Sequence, residues 1–202
     1  MPICEQQTNV FPCDLLQMPE ALAEASSGGG LRRWWVLYTR SRQEKSLARD
    51  LLQYEIPFYL PLLKANKVYR KWKVSTYTPL FSGYVFLFGS DEERGRTLTT
   101  NRLSRILAVE DGESLSHDLR QLQQLIASGA PLTLESRLAP GTRVRVRRGP
   151  LEGLEGTVLD RRGQTRLLVS VNFLQQGASV DIDDFMLERL DQTPLVGRNL
   201  PR

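Results

Sequence analysis

The stretch "PGTRVRVRRGPLEGLEGTVLDRRGQTRLLVSV", which begins at Pro140, constrains the fold more than any other part of the chain. Glycines divide it into short runs in which apolar and basic residues alternate, Val144 and Val146 standing between Arg143, Arg145 and Arg147. A repeat of two is the side-chain period of a β-strand, so each run has one inward and one outward face. Further on, Leu167, Val169, Val171 and Phe173 alternate with Leu168, Ser170, Asn172 and Leu174. With "RRGP", "LEG", "RRGQ" and "QQGA" as turns, the pattern predicts about five short strands curled into a small barrel. Closure removes exposed strand edges, and glycine serves the corners because they need backbone conformations that a Cβ obstructs.

The rest of the chain is built differently. "WWVLY" from Trp34 is a continuous run of β-formers, which predicts a strand covered on both faces. In "SRQEKSLARDLLQYE", Ser41 and Glu44 have capping-box spacing, and Leu47, Ala48, Leu51 and Leu52 share one helical face. "IPFYLPLLKANKVYRKWKV" reads as extended material leading into a basic hairpin that projects into solvent. "TPLFSGYVFLFG" turns at Gly83 into another strand, "DEERGRTLTTN" predicts a short helix with an acidic start, and "SRILAV" a strand. "SLSHDLRQLQQLIASG" predicts a helix with Leu119, Leu122, Leu125 and Ile126 on one side and Gly129 as terminator. The fold class is therefore α+β: a small α/β sandwich with a mostly antiparallel sheet, tethered to a small β-barrel. The expected boundaries are a flexible tail over 1–31 that stays outside the fold, a first domain over 32–128, a linker over 129–139, the barrel over 140–190 and a C-terminal tail over 191–202.

A formal charge of +4 over 202 residues hides an uneven distribution. Eleven Lys and Arg lie between Arg32 and Lys73 against three carboxylates, Glu44, Asp50 and Glu55. That imbalance suits a phosphate-bearing or acidic partner, although a solvated charged surface accounts for it equally. The two cysteines, Cys4 and Cys13, both lie in the first tail and argue neither for a disulfide scaffold nor for a tetrahedral metal site. His117 is the only histidine, so metal and histidine-based nucleophilic chemistry have no support. "GPLEGLEG" lacks the lysine and Ser/Thr of a P-loop and opens no helix. Asp181, Asp183 and Asp184 suit a cation or, in alternation along a strand, a solvated rim. No apolar run reaches membrane-spanning length, and a cytoplasmic protein is the simplest expectation.

"GTRVRVRRGPLEGLEGTV" resembles a KOW motif, and "RRWWVLYTRSRQEKSLARDL" followed by "PLFSGYVFLF" resembles the N-terminal domain of bacterial NusG-type transcription elongation factors. Together they cover roughly residues 32 to 190, and the "PLF.GY" form resembles the RfaH-type, operon-directed members. The resemblance implies a non-catalytic, monomeric protein without cofactor that rides on RNA polymerase. Its first domain would dock through an apolar depression onto the clamp helices and reduce pausing or termination. Its KOW unit, an SH3-like barrel, would recruit a second partner such as Rho or the ribosomal protein that doubles as NusE. A runner-up reading is an RNA-binding or ribosome-associated KOW protein.

On that resemblance Tyr38, Phe81, Gly83 and Tyr84 contact the polymerase, Tyr38 being a better contact than Trp34. From the residues alone, packing of the Phe81–Tyr84 turn in the sheet's own core is favoured. Ser82 stands where the family usually has proline, which leaves the turn less rigid. Arg40 and Arg42 match positions that touch the non-template DNA strand, and Arg70, Lys71 and Lys73 on the arm suit backbone phosphate. In the barrel, Leu151, Phe173 and Leu174 match the apolar patch for the second partner. By alternation Phe173 is expected inward and Leu174 outward. The β-branched alternation also predicts that the KOW unit is a barrel rather than a helical hairpin in the isolated protein.

Overall fold

The computed structural model describes residues 8–17, 30–69, 72–137, 141–161, 164–183 and 186–190. The chain divides into two compact units, Met1–Ile126 and Ala127–Arg202.

In chain order the first unit contains β1 (Val10–Phe11), β2 (Arg33–Thr39), α1 (Glu44–Gln53), β3 (Phe58–Tyr59), β4 (Leu62–Tyr69), β5 (Trp72–Pro79), β6 (Tyr84–Gly89), α2 (Asp91–Leu98), β7 (Leu103–Ala108) and α3 (Gly112–Ala127). Five strands form an antiparallel sheet in the order β1-β3-β6-β2-β7. Successive residues of β2 face opposite sides. Trp35 and Leu37 join Val85, Leu87 and the apolar stripe Leu47, Ala48 and Leu51 of α1 in one buried cluster. Trp34 serves the other side, where its Nε1 donates to Ser116 Oγ of α3 at 2.7 Å and its ring lies 5.2 Å from Phe88. The run Trp34–Leu37 is buried throughout, as a strand covered on both faces requires, but Tyr38 is exposed.

The basic arm is a hairpin of β4 and β5, paired from Leu62 with Pro79 to Tyr69 with Trp72. Its base is tied down by Lys45, whose Nζ donates to the carbonyl of Tyr77, and by Leu80 N–H donating to Pro61 O at 2.8 Å.

Two expectations for this unit are corrected. The capping box lies at α2, not α1. Ser90 Oγ accepts from Glu93 N–H at 3.2 Å while the Glu93 carboxylate accepts from Ser90 N–H at 2.8 Å. Helix α1 has no side-chain cap; Gln43 precedes it, and Arg42 at φ 59° breaks the approach from Ser41. Part of the expected tail, residues 8–17, also packs in the fold. Val10 and Phe11 pair with Tyr59 and Phe58, Leu60 N–H donates to Asn9 O at 2.7 Å, and Arg120 Nε donates to Leu16 O at 2.8 Å. Leu15 and Leu16 are fully buried. These two leucines and a free β3 edge outweigh the polar, proline-interrupted composition around them.

The second unit contains β8 (Thr133–Glu135), β9 (Arg143–Val146), β10 (Glu155–Arg161), β11 (Gln164–Val171), a 3-10 turn (Asn172–Leu174), β12 (Gln176–Asp181) and β13 (Leu187–Arg189). They form six antiparallel strands in the order β13-β9-β10-β11-β12-β8, one more than the alternation suggests. The extra strand comes from the expected linker: Thr133–Glu135 pairs with Gly177–Ser179, and Ser179 Oγ donates to Glu135 Oε1 at 2.7 Å. Val144 and Val146 are buried between exposed Arg143 and Arg145, as period two requires. In β11, however, Leu167, Leu168 and Val169 are all buried, because a strand inside a small curved sheet is covered on both faces. Gly177 lies in a strand rather than a turn. A Cβ there would come within 2.5 Å of the Val169 carbonyl oxygen, so the requirement is close backbone approach.

Candidate functional site

Two strand registers assemble the site. The β2–β6 pairing sets Tyr38 opposite Tyr84, and the β2–β7 pairing sets Tyr38 opposite Arg105. Residues directly opposite in neighbouring strands share a face, so Tyr84, Tyr38 and Arg105 form one row across three strands. The tyrosine rings lie 5.2 Å apart with planes inclined by 49°. Tyr38 is 42% exposed, Tyr84 is half-buried and Arg105 is exposed. An aromatic pair open to solvent is costly to leave uncovered, and this one sits on a rigid sheet.

The turn beneath the pair is fixed from two sides. Gly83 has φ +85°, and a Cβ at this position would lie 2.9 Å from Tyr38 Cε2. Only glycine accepts both the left-handed backbone and the ring against it. Its N–H donates to Glu44 Oε1 at 2.7 Å, and its carbonyl accepts from Thr39 N–H at 2.8 Å. Glu44 is itself buried. Its carboxylate, at the first residue of α1, thus holds the turn that the absent proline would otherwise stiffen. Sequence reasoning assigned Glu44 to a capping box and passed over Arg105. The spacing of "SRILAV" does not mark Arg105, since Ser104 and Arg105 are both exposed and Ile106 and Leu107 both half-buried.

Phe81 is not part of the exposed surface. It is 1% exposed and meets Phe86 edge-on with ring centroids 6.5 Å apart. As the residues alone favour, it packs the core, leaving Tyr38 and Tyr84 as the accessible aromatics.

Beyond the end of β2 the surface is cationic. Arg40 is exposed, its Nη2 donating to Asn101 Oδ1 at 3.1 Å, and Arg42 is exposed on the same loop. The nearby carboxylates are engaged elsewhere. Asp50 accepts from Arg102 Nε at 2.5 Å, whose Nη1 donates to Gln43 Oε1 at 2.7 Å, and Glu44 is under Gly83. Among the described residues, no carboxylate forms an ion pair with Arg40, Arg42 or Arg105. Arg70 and Lys71 lie outside the described residues, as does the side chain of Lys73, whose backbone pairs with Val68 in the arm.

In the second unit the three matched positions have separate fates. Leu151 is buried, lining a cleft of about 600 Å³ with Val146, Pro150 and Met186. Phe173 is 39% exposed and Leu174 half-buried, the reverse of the expected order. Strand alternation stops at Val171, and the 3-10 turn that follows rotates Phe173 outward. The arginines of β9 do not form an open basic face, since Glu155 accepts from Arg145 Nε at 2.9 Å and also approaches Arg143 at 3.9 Å. Asp181 pairs with Arg166 at 2.9 Å, and Asp184 lies outside the described residues. Among the described residues, no group of three or more His, Cys, Asp and Glu side chains is placed to hold a metal ion, and no helix is long and apolar enough to cross a membrane.

Residues 32–120 match the NusG family model, described as transcription termination factor nusG. The matched segment contains the whole row from Tyr84 to Arg105 together with Gly83 and Glu44. No curated protein matches the chain.

Proposed function

We propose, with a NusG-type domain over residues 32–120 as the premise, that this chain is a transcription elongation or antitermination factor. It works by binding and not by catalysis. The first unit docks on the clamp helices of RNA polymerase through Tyr38 and Tyr84, with Gly83 as the pivot of the turn that carries them. A helix pair crossing the end of the sheet covers both rings and converts solvent-exposed aromatic area into interface. Arg40 and Arg42, beside the rings, face the non-template DNA strand, where a planar guanidinium pairs with phosphate or stacks on an unpaired base. The arm residues Arg70, Lys71 and Lys73 add salt-sensitive attraction to duplex phosphates. The second unit serves as a KOW-type recruiting module, with Phe173 the anchor for Rho or a NusE-type ribosomal protein. The factor acts as a cytoplasmic monomer that reduces pausing or termination.

The observation that carries the reading is the Tyr38–Tyr84 pair, exposed at Tyr38 and half-buried at Tyr84, over Gly83. A pull-down with core RNA polymerase tests it, using the full chain and the Tyr38→Ala and Tyr84→Ala variants. Each truncation of a central aromatic anchor is expected to weaken binding by roughly 2 kcal/mol, about thirtyfold. Folded wild-type protein without affinity for polymerase would refute the reading.

A further inference from the structure

The docking surface does not end at the two tyrosines. Arg105 continues their row onto β7, the outermost strand of the sheet among the described residues. It is exposed, and no carboxylate pairs with it among the described residues. We propose that Tyr84, Tyr38 and Arg105 form a single apolar-to-cationic strip. It takes a polymerase helix whose contact face carries a carboxylate one to two turns from its apolar residues. This rests on the polymerase-docking reading and adds to it the charge and polarity of the segment bound.

The spacing supports this. Neighbouring strands are about 4.8 Å apart, so the row runs roughly 10 Å from Tyr84 to Arg105. Two turns of helix span about 10.8 Å, which lets one helix laid along the row present apolar and acidic residues to its two ends. The local charge fixes the sign. Glu44 and Asp50 are each held by another group, while Arg40 and Arg42 lie exposed near Tyr38, so an approaching acidic residue meets attraction and a basic one repulsion.

Ring geometry separates a protein partner from a nucleic acid at this row. A stacked base needs a flat, accessible ring face. Tyr38 rests against the Gly83 backbone, and the Tyr84 ring is tilted by 49° to it, so the two rings do not form one continuous flat platform. A tilted aromatic pair suits the side chains of a protein partner, which carry apolar and hydrogen-bonding groups.

The test compares wild type, Arg105→Glu, Arg105→Lys and Tyr38→Ala, all as full chains with matching melting curves. Binding to core RNA polymerase is measured at low and high salt, and binding to single-stranded DNA is measured without polymerase. Arg105→Glu is expected to weaken polymerase binding by roughly threefold to tenfold at low salt, with the gap closing at high salt, because a rim charge acts through a screened field. Arg105→Lys is expected to keep most of the affinity. If Tyr38→Ala loses binding but Arg105→Glu binds like wild type, the strip is wrong and the docking reading stands. Wild type without affinity for polymerase overturns both. If Arg105→Glu loses DNA binding and keeps polymerase binding, the row belongs to nucleic acid and the proposal is overturned.

Discussion

At the scale of single residues, Gly83 and Glu44 decide whether the tyrosines are held in place. Gly83→Ala puts a Cβ into a left-handed backbone and against Tyr38, and should destabilise the first unit by about 1–3 kcal/mol in denaturant melts, with loss of polymerase binding. Glu44→Ala leaves the Gly83 N–H buried without an acceptor, at a cost of about 1–3 kcal/mol. Glu44→Gln keeps an oxygen acceptor and should recover most of that stability, a difference the same melts resolve. Glu93 makes a pH prediction. Burial pushes its carboxyl up, but the hydrogen bond from Arg32, the Ser90 N–H and the Arg32 charge together hold it below its ordinary value. A depressed carboxyl contributes stability that is fully present above its unfolded pKa of about 4.3 and is lost as pH falls through the lower folded value. Acid titration of stability should therefore show wild type losing ground below about pH 4.3, with a shallower loss in Glu93→Gln.

At the scale of elements, legibility followed periodicity. The stripe Leu47, Ala48 and Leu51 and the run Trp34–Leu37 declared α1 and β2, since each repeats the burial of its own geometry. Elements that exist because of a distant partner were not legible. Thr133–Glu135 has no strand signature of its own and becomes β8 only because the edge of β12 is available. Val10–Phe11 becomes β1 for the same reason beside β3. The capping box was misplaced because Ser41 with Glu44 and Ser90 with Glu93 have identical spacing, and only the backbone at Arg42 distinguishes them. Two outcomes follow. Ser90→Ala should cost about 1 kcal/mol of first-unit stability, whereas Ser41→Ala should be near neutral in the same thermal melts. Leu16→Ala should cost about 2–5 kcal/mol, which a tail outside the fold would not.

At the scale of the molecule, each unit has a core of its own: the cluster around Leu37, Leu51 and Leu87 in the first, and Val146, Leu154, Leu168 and Val171 in the second. Separate folding follows from separate cores. A fragment over 127–190 should give dispersed amide spectra and a cooperative melt. A fragment over 140–190 lacks β8, loses the Glu135 partner of Ser179, and should be less stable by roughly 1–3 kcal/mol. Which aromatic is exposed in the second unit was not readable from alternation, because the 3-10 turn at Asn172 ends the pattern one residue before Phe173.

The buried leucines near the amino end set a timetable for synthesis. Leu16 is clasped by an arginine 104 positions downstream, and Gln17 meets Gln123 across 106 positions. A ribosome releases these residues long before it makes the ones that hold them, so the first unit finishes late, when α3 has cleared the exit tunnel. Until then the early leucines lack the partners that bury them in the folded chain.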